Sequence, residues 1–472
     1  MSLTEQLKNS RKAAKSKSSK IKATRVLTLG FLVVIAIGTL LLMMPFSVKD
    51  GNKATFVDAL FTSVSATCVT GLSTVNTALF WSTAGQVIIL VMIQIGGLGF
   101  MTLAVLISRI AKKMLTPKDK MLVAMSYNLN TYGGVTELIK SIAIGTAAFE
   151  GLGAVVLFTR FIKDYSPGQA IFKSIFTSVS SFCNAGFDLA GDMYTSAADG
   201  VSYMSSVGYY ATDATVCLTL TTLTLIGGIG FIVWFDFKEK ITKHKHLSPY
   251  TKFVLVMSLI LLSVGTVLFA FFEWNNMSTI GYMTSPQKII ASLFHAAALR
   301  TSGFAIFDNG SLSSGSIILS LILMFIGGAS GSTAGGVKMV TFGVLIYTVW
   351  CNVTGKQEAI IFKRKISSQS FVRAATVIFV QLFLILTASS AIIAISKDFS
   401  GIDIIYEVVS AVSTVGLSFG ITASLGTAAK VILMFLMYFG RVGILSVAYS
   451  LTVNQNSYSG SITYPDSNFL IG

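Results

Sequence analysis

Charged residues are scarce in this chain of 472 residues. Only 12% of the positions are Asp, Glu, Lys or Arg, whereas 53% are hydrophobic. Soluble domains carry about twice that charged fraction, so the composition excludes an ordinary soluble enzyme or binding domain. Proline is also rare, with 6 residues, while the 41 glycines suit closely packed transmembrane helices. The sequence therefore predicts an all-α integral membrane protein.

Cysteine and histidine are equally sparse, with 4 and 3 residues. The cysteines lie in or beside apolar stretches and lack the spacing of a metal site. The sequence has no nucleophile–base signature and no Walker motif, and no predicted strand precedes its glycine runs, as it would in a dinucleotide-binding fold. We therefore expect no enzymatic activity, no cofactor and no nucleotide site on this chain.

The net charge of +15 comes from lysines and arginines that gather in every second loop. They cluster within 8–25, 109–120, 238–252 and 356–365. This is the positive-inside pattern, which places these loops and both termini in the cytosol. Because the pattern accounts for the charge, we expect no nucleic-acid partner. We expect a multi-pass protein of the cell (plasma) membrane, in contact with membrane lipid.

Eight stretches resemble membrane-crossing helices in length and apolarity. They cover roughly 26–46, 86–110, 138–161, 214–235, 251–272, 316–350, 371–395 and 427–452. A shorter apolar stretch lies between the members of each pair, at 57–66, 170–181, 288–298 and 403–411. These four stretches are too short to span a bilayer and suit re-entrant helices.

A short motif follows each of the four shorter stretches. The copies are TCVTG, FCNAG, LRTSG and VSTVG, which end at Gly71, Gly186, Gly303 and Gly416, and these glycines are 115, 117 and 113 residues apart. A bulky residue stands ten positions before each glycine: Phe61, Phe176, Leu293 and Tyr406. A small residue stands six positions before it: Ser65, Ser180, Ala297 and Ser410. Each copy is therefore part of a longer repeated unit.

The helix after each motif carries a second glycine pattern. These patterns are IGGLG at 95–99, IGGIG at 226–230, IGGASG at 326–331 and FGRVG at 439–443. Four copies in register predict four helix–pore-loop–helix repeats around one central pore. We place the repeats at 26–115, 116–245, 246–355 and 356–455, between a basic cytosolic tail at 1–25 and a C-terminal tail at 456–472. The second repeat has an insertion near 190–210.

The four loops have a specific chemical use. Non-helical backbone at membrane depth must be buried in protein or face water, because lipid offers its N–H and C=O groups no partner. Four loops around one axis can supply rings of carbonyl oxygens that replace a cation's hydration shell. Glycine permits the required backbone angles, and the C-terminal ends of the short helices add partial negative charge. The predicted selectivity filter comprises Thr67, Cys68, Val69, Thr70, Gly71, Phe182, Cys183, Asn184, Ala185, Gly186, Leu299, Arg300, Thr301, Ser302, Gly303, Val412, Ser413, Thr414, Val415 and Gly416.

Charged residues near the filter need separate explanations. Asp58, Asp188 and Asp308 lie on the expected outer side, where they either concentrate cations or serve as helix caps and solvated loop charges. Arg300 lies inside the third filter stretch, where a bare positive charge would repel a permeating cation. We therefore expect its side chain to point away from the axis and to pair with an acid, for which Asp188 is the candidate.

The four loop motifs, each between two spans, resemble those of the Trk/Ktr/HKT superfamily of potassium transporters over nearly the whole chain. The first filter stretch begins about 20 residues after the first span, as in Ktr-type membrane subunits (KtrB) and unlike Trk-type subunits, which have an extra N-terminal helical pair. The resemblance implies potassium uptake, with K+ at backbone carbonyls of the filter and often with stimulation by Na+. It also implies a homodimer, one pore per subunit, and a cytosolic nucleotide-binding regulatory ring (KtrA-like).

The overlong sixth span contains FIGGASGSTAGGVK at 325–338, whose glycines should interrupt a helix. The stretch is either a packing hinge or close helix contact, or a movable loop in the pore beneath the filter. The resemblance implies the movable loop. The predicted gate comprises Gly327, Gly328, Ala329, Ser330, Gly331, Ser332, Thr333, Ala334, Gly335, Gly336 and Arg441.

Arg441 stands in FGRVG where the other three repeats carry Gly97, Gly228 and Gly328. A charge at this depth needs a cavity or a partner. It is either a structural anchor to a nearby carbonyl or acid, or an electrostatic barrier below the filter. The resemblance implies the barrier.

The alternative interpretation is an alternating-access cation symporter of another fold. Glu150 falls within an apolar span and Asp213 at the edge of one, and in a carrier such acids would bind protons or sodium. A hydrogen-bonded helix contact or a position near the interface explains them without transport chemistry. Carriers of this class usually consist of two inverted halves, whereas all four motifs here precede an inward-going span. This favours the pore.

Overall fold

The regular structure of the chain is almost entirely helical. The structure is a computed structural model that describes residues 25–26, 28–99, 135–192, 206–244, 246–356 and 358–443. Within these residues the only strands form a two-stranded antiparallel hairpin, β1 (Ile360–Ile361) and β2 (Arg364–Lys365). The predicted tails at 1–25 and 456–472 lie outside the described residues, apart from Arg25.

The helices fall into four groups in chain order. The first contains α1 (Thr28–Leu42), α2 (Phe56–Cys68), α3 (Thr77–Phe80) and α4 (Thr83–Leu98). The second contains α5 (Val135–Phe161), α6 (Pro167–Phe182), α7 (Ala214–Gly228) and α8 (Phe231–Lys243). The third contains α9 (Pro249–Glu273), α10 (Ser285–Ala298), α11 (Ser314–Phe325) and α12 (Met339–Val353). The fourth contains α13 (Ser368–Ile395), α14 (Gly401–Ser413) and α15 (Thr427–Val442).

Local sequence explains where several helices begin. The hydroxyls of Ser82, Ser248, Ser313 and Ser367 each accept a hydrogen bond from the backbone N–H three residues later, at the start of α4, α9, α11 and α13. Proline occupies the first turn of α6, α9 and α10, where its missing N–H leaves no helical bond unmade. These serines and prolines mark where the helices begin.

The four groups close into a ring. Within each group the short helix, which is α2, α6, α10 or α14, packs against the longer helices around it. Each short helix also contacts the group before it, so that α6 meets α4, α10 meets α7, α14 meets α11, and α2 meets α15. The last group therefore packs against the first, and the loops that follow the short helices meet at the centre.

The residues ten positions before the motif glycines anchor the short helices. Phe61, Phe176 and Tyr406 are fully buried, and Leu293 is half-buried. Burial of each large apolar side chain contributes about 1.5–3 kcal/mol to the packing of its helix. The repeated bulky residue therefore holds each short helix in place against its neighbours.

The sequence-based boundaries agree with the helices in most places. The four short stretches are helical, and the sixth predicted span does break, because α11 ends at Phe325 and α12 begins at Met339. A second break was missed: α7 and α8 are bent by 88° around Gly230, whose φ is +94°. The end of the second predicted span and the end of the eighth lie outside the described residues.

The outer surface of the helices is apolar. Among the described residues, α5, α9 and α13 are long and apolar enough to cross a bilayer, and the bent pair α7–α8 is a fourth candidate. Leu152, Leu259, Phe271 and Phe379 on the three long helices are between 65% and 76% exposed. So much exposed apolar surface on spanning helices fits contact with lipid. The count of eight spans stays a prediction.

The outer end of the third group depends on a buried carboxylate. Glu273 at the end of α9 is fully buried and accepts hydrogen bonds from the Ser313 N–H at 2.9 Å and from the hydroxyls of Ser313 and Thr279 at 2.6 and 2.7 Å. It also accepts one from the Asn276 amide at 2.7 Å. These bonds hold the loop before α10 and the start of α11 together.

We expect Glu273→Ala to destabilise the protein by about 2 kcal/mol or more, because several buried donors lose their acceptor. The measurement is the melting temperature of the purified protein in detergent. Glu358→Ala is the control, because Glu358 pairs with Lys365 at an exposed site and such pairs contribute little. Equal melting temperatures for the two variants would contradict this account.

Candidate functional site

Each of the four loops has left-handed backbone at two alternate residues. The glycines Gly71, Gly186, Gly303 and Gly416 have φ between +70° and +97°, and the residues two positions earlier, Val69, Asn184, Thr301 and Thr414, have φ between +51° and +70°. Non-glycine residues rarely adopt this conformation, and each such residue costs about 1–3 kcal/mol. Backbone strain of this kind, repeated at one position in four loops, marks them as the candidate site.

The four loops form a closed ring. A Cβ placed on Gly71 would lie less than 3.0 Å from the Ala185 carbonyl oxygen, and one on Gly186 would lie as close to that of Ser302. A Cβ on Gly303 would meet the Val415 carbonyl, and one on Gly416 would meet the Thr70 carbonyl. Each glycine thus faces the next loop, and the fourth faces the first. Only glycine fits between these four carbonyls.

Serines in two of the short helices hold the motif glycines. The Ser65 hydroxyl accepts a hydrogen bond from the Gly71 N–H at 3.1 Å, and the Ser410 hydroxyl accepts one from the Gly416 N–H at 3.0 Å. This explains the small residue six positions before the glycine in the first and fourth repeats. The third repeat has Ala297 there, and the Gly303 N–H bonds instead to the Ala298 carbonyl at 3.4 Å.

In three of the four repeats, the second glycine pattern allows the next helix to approach the start of the predicted filter stretch. A Cβ on Gly96 would lie less than 3.0 Å from the Thr67 carbonyl oxygen, one on Gly227 would lie as close to that of Phe182, and one on Gly440 to that of Val412. The third repeat differs. There Gly327 packs against the Gly335 carbonyl of its own loop, so the chain folds back on itself instead of continuing as a helix.

This loop, residues 326–338, connects α11 to α12 and lies against the inner ends of the filter stretches. The Thr333 hydroxyl donates to the Phe182 carbonyl at 3.2 Å or to the Asn184 side-chain oxygen at 3.1 Å. On another side, Gly335 lies against the side chain of Thr414, and Gly336 lies close to the Ser413 carbonyl. The loop therefore contacts the second and fourth filter stretches from below.

Backbone hydrogen bonds fix the loop to the break between α7 and α8. The N–H groups of Ala329 and Thr333 donate to the carbonyls of Gly228 and Gly227 at 2.9 and 3.3 Å. The Phe231 N–H donates to the Gly331 carbonyl at 2.9 Å. Because the helix is interrupted at this unpredicted bend, Gly227, Gly228 and Phe231 form backbone hydrogen bonds with the loop, which a continuous helix would form within itself.

Arg441 joins three elements beneath the filter. Its guanidinium donates to the Thr333 carbonyl in the loop and to the carbonyls of Gly96 and Gly97 at the end of α4. Since Arg441 lies on α15, it connects the first and fourth groups to the loop. These bonds agree with the anchor interpretation of Arg441, and its role as an electrostatic barrier stays a prediction.

The predicted pairing of Arg300 with Asp188 is wrong. The Arg300 guanidinium points towards α9, where it donates to the Ser258 carbonyl and hydroxyl, both at 3.4 Å. Asp188 accepts a hydrogen bond from the Ala190 N–H at 2.8 Å and lines a cavity on the other side of the ring. The expectation that Arg300 points away from the ring holds, but its partners are uncharged helix groups.

The cavity above the ring has a volume of about 580 Å³ and reaches all four motif glycines. Asp188, Asp308, Ser418 and Thr422 are among its lining residues. Asp308 also caps a short turn by accepting from the Gly310 N–H at 3.1 Å. Asp58 lies outside the lining and accepts from the Thr74 hydroxyl at 2.7 Å. Two of the three predicted outer acids therefore face this cavity.

Glu150 and Asp213 are engaged in structural contacts. Glu150 on α5 accepts from the Gln94 amide of α4 at 3.2 Å. Asp213 caps α7 by accepting from the Thr215 N–H at 2.9 Å, and it forms an ion pair with Arg160. Both contacts match the helix-contact and interface explanation rather than a carrier's ion site.

Sequence reasoning missed one buried acid beside the ring. Glu407 on α14 is 1% exposed and accepts hydrogen bonds from residues just after Gly416. The available signal was the pair of carboxylates, Asp403 and Glu407, one helical turn apart in the short apolar stretch 403–411.

Comparison with known proteins places the chain in a family. Residues 1–460 match the family model TrkH, described as a cation transport protein. The chain is 38% identical over 448 residues to the Ktr system potassium uptake protein B of Bacillus subtilis, covering 95% of this chain and 96% of that protein. It is 36% identical over 457 residues to the potassium/sodium uptake protein NtpJ of Enterococcus hirae, covering 96% and 98%.

A solved structure has the same fold. The potassium transporter TrkH of Vibrio parahaemolyticus aligns with a TM-score of 0.66 and 20% identity, over 90% of this chain and 84% of that one. The match of the family model over almost the whole chain, together with relatives above 30% identity, decides the assignment. The chain belongs to the TrkH family of cation transport proteins.

Proposed function

We propose that this chain is the channel-like, potassium-translocating membrane subunit of a Ktr-type uptake system. The observation that carries the proposal is the closed ring of four loops, in which each motif glycine faces a carbonyl of the next loop. Carbonyl rings of this kind replace the water around a cation. The similar proteins of Bacillus subtilis and Vibrio alginolyticus are named for potassium uptake, which supports K+ as the transported ion.

The geometry supports a path through the ring. A hydrated cation enters the outer cavity, where Asp188 and Asp308 favour positive charge. It then exchanges water for the carbonyls of Thr70, Ala185, Ser302 and Val415, which lie beside the facing glycines. The carboxyl ends of α2, α6, α10 and α14 lead into the filter stretches, and their helix dipoles favour a cation at the centre.

The loop at 326–338 acts as the gate in this proposal. Its bonds to Phe182, Asn184 and Arg441 hold it beneath the four loops, and this contact supports a closed pathway in the proposal. These bonds must break for an ion to reach the cytosol. Gly327 to Gly336 contain little side-chain bulk, which allows the loop to move without disturbing the helices on either side.

The assembly is also part of the proposal. The relatives named as components of a Ktr system support a multi-component complex. We extend this to a homodimer with one pore per subunit and a cytosolic KtrA-like nucleotide-binding ring. Both termini face the cytosol of the cell in this arrangement, and Na+ stimulates uptake, for which the name of the Enterococcus hirae relative offers support.

The first test is K+ uptake by cells that lack their own potassium transporters. Expression of this chain with a cytosolic ring protein should restore growth at low K+. We expect Gly416→Ser to weaken the preference for K+ over Na+ by about tenfold or more, because the added side chain occupies the space beside the Thr70 carbonyl. The ratio of the two fluxes in proteoliposomes measures this effect.

Gly51→Ser is the matched control for the filter variant. Gly51 also has a left-handed backbone, with φ of +87°, but an added Cβ there meets nothing within 4 Å, and Gly51 lies outside the cavity lining. It should therefore leave the ion preference unchanged. If Gly416→Ser also preserved K+ affinity and the K+/Na+ preference, the assignment of these loops as the filter would be wrong.

A second prediction concerns the gate. Arg441→Ala removes the bonds to Thr333, Gly96 and Gly97, and deletion of residues 330–333 shortens the loop itself. Both changes should raise K+ flux several-fold while the K+/Na+ preference stays the same, because the filter loops remain intact. The measurement is the initial rate of K+ flux in proteoliposomes, and unchanged rates in both variants would remove the gate proposal.

A further inference from the structure

A carboxylate lies buried behind the outer end of the fourth filter stretch. Glu407 on α14 is 1% exposed and stands nine residues before Gly416. Within the described residues it takes part in no ion pair of 4.0 Å or less. A buried carboxylate without a cationic partner is costly, and it is kept only where several hydrogen bonds satisfy its oxygens.

Three donors that follow the filter glycine satisfy Glu407. Its Oε1 accepts from the Ser418 hydroxyl and from the Phe419 N–H at 3.2 Å, and its Oε2 accepts from the Thr422 hydroxyl at 2.8 Å. Ser418 is only two residues beyond Gly416. A single side chain of the short helix therefore holds the segment 418–422 at three points.

The same segment has a second support. The Tyr406 and Phe419 rings stack with their centroids 4.0 Å apart, and the Asn309 amide of the third repeat donates to the Ser418 carbonyl at 3.1 Å. Ser418, Phe419 and Thr422 all line the outer cavity. One side of the segment 418–422 therefore lines the outer cavity, and the other side is bonded to α14.

The other three repeats lack a carboxylate at this position. Nine residues before their motif glycines stand Thr62, Thr177 and Phe294. The first and second repeats fasten the equivalent segment from thirteen residues before the glycine, where Asp58 accepts from Thr74 and Lys173 donates to the Leu189 carbonyl. Glu407 lies one helical turn closer to the ring than Asp58 and Lys173 do in their repeats.

We propose that Glu407 is a positioning residue for ion selection, acting through its hydrogen bonds to Ser418, Phe419 and Thr422. By fixing the segment directly after Gly416, it keeps the Val415 carbonyl at the distance that the ring requires. This inference rests on the proposed transport function. The fourth filter stretch therefore depends on a buried carboxylate that the other three do not have.

The experiment compares four variants with the wild-type chain, with its ring protein, in proteoliposomes. Glu407→Ala removes all three bonds, and the pair Ser418→Ala with Thr422→Val removes two of them from the other side. Glu407→Gln removes the charge but keeps the bonds, because its oxygen can accept from Ser418 and Phe419 while its amide donates to Thr422. Asp403→Asn is the control, since it removes a charge from the same helix one turn further from the ring.

We expect Glu407→Ala and the Ser418→Ala/Thr422→Val pair each to raise the half-saturating K+ concentration and to lower the K+/Na+ preference by about tenfold, as expected for lost charge-assisted hydrogen bonds. Glu407→Gln and Asp403→Asn should stay within about twofold of the wild type. A purely structural role would instead lower the amount of active protein, and hence the maximal rate, without changing ion preference.

Three results would overturn the inference. In the first, Glu407→Ala keeps wild-type K+ affinity and preference. In the second, Glu407→Gln loses as much preference as Glu407→Ala, which would assign the effect to charge rather than positioning. In the third, Asp403→Asn produces the same loss. If the wild type moves K+ and one of these results is found, only the inference fails, whereas absence of K+ flux in the wild type removes the proposed function and the inference together.

Discussion

Four backbone loops inside an apolar protein have carbonyl groups that form no helical hydrogen bonds, and these loops are packed against one another in a ring. The contact between each motif glycine and a carbonyl of the next loop leaves space for no side chain. Because the fourth loop closes on the first, the position of any one loop depends on the other three. The packing of every short helix against the preceding group serves this closure.

The surrounding structure follows from that constraint. The short helices must end at the centre, and Phe61, Phe176 and Tyr406, which anchor three of them, are fully buried. The next helix must approach the inner carbonyls, which explains the glycines Gly96, Gly227 and Gly440. In the third repeat the next helix does not approach the carbonyls in this way, and its glycines instead form the loop 326–338 beneath the four motif loops. Arg441, which stands where the other repeats have Gly97, Gly228 and Gly328, bonds the loop to α4.

The sequence predicts much of this arrangement because the repeat multiplies weak signals. One TCVTG motif has no clear meaning, but four motifs at near-equal spacing define the short helices, the loops and the break at Phe325. The same reasoning identified the six-residue spacing from Ser65 and Ser410 to the glycines, although only the structure shows that their hydroxyls bind the glycine N–H groups.

Features that occur once in the chain could not be predicted in the same way. The bend at Gly230 depends on hydrogen bonds to a loop about 100 residues away in sequence. Arg300 was assigned an acidic partner because a buried charge usually has one, whereas polar groups of α9 receive it here. One repeated feature was missed as well: Val69, Asn184, Thr301 and Thr414 adopt left-handed backbone in all four loops despite their side chains, since ring closure overrides local preference.

The central claim is that the four facing carbonyls bind the transported ion. The most direct measurement is a crystal structure of the full complex grown in Rb+, with the ion located by its anomalous scattering. The account predicts a peak on the axis between the carbonyls of Thr70, Ala185, Ser302 and Val415. A peak at Glu150 or Asp213, with none within the ring, would contradict it.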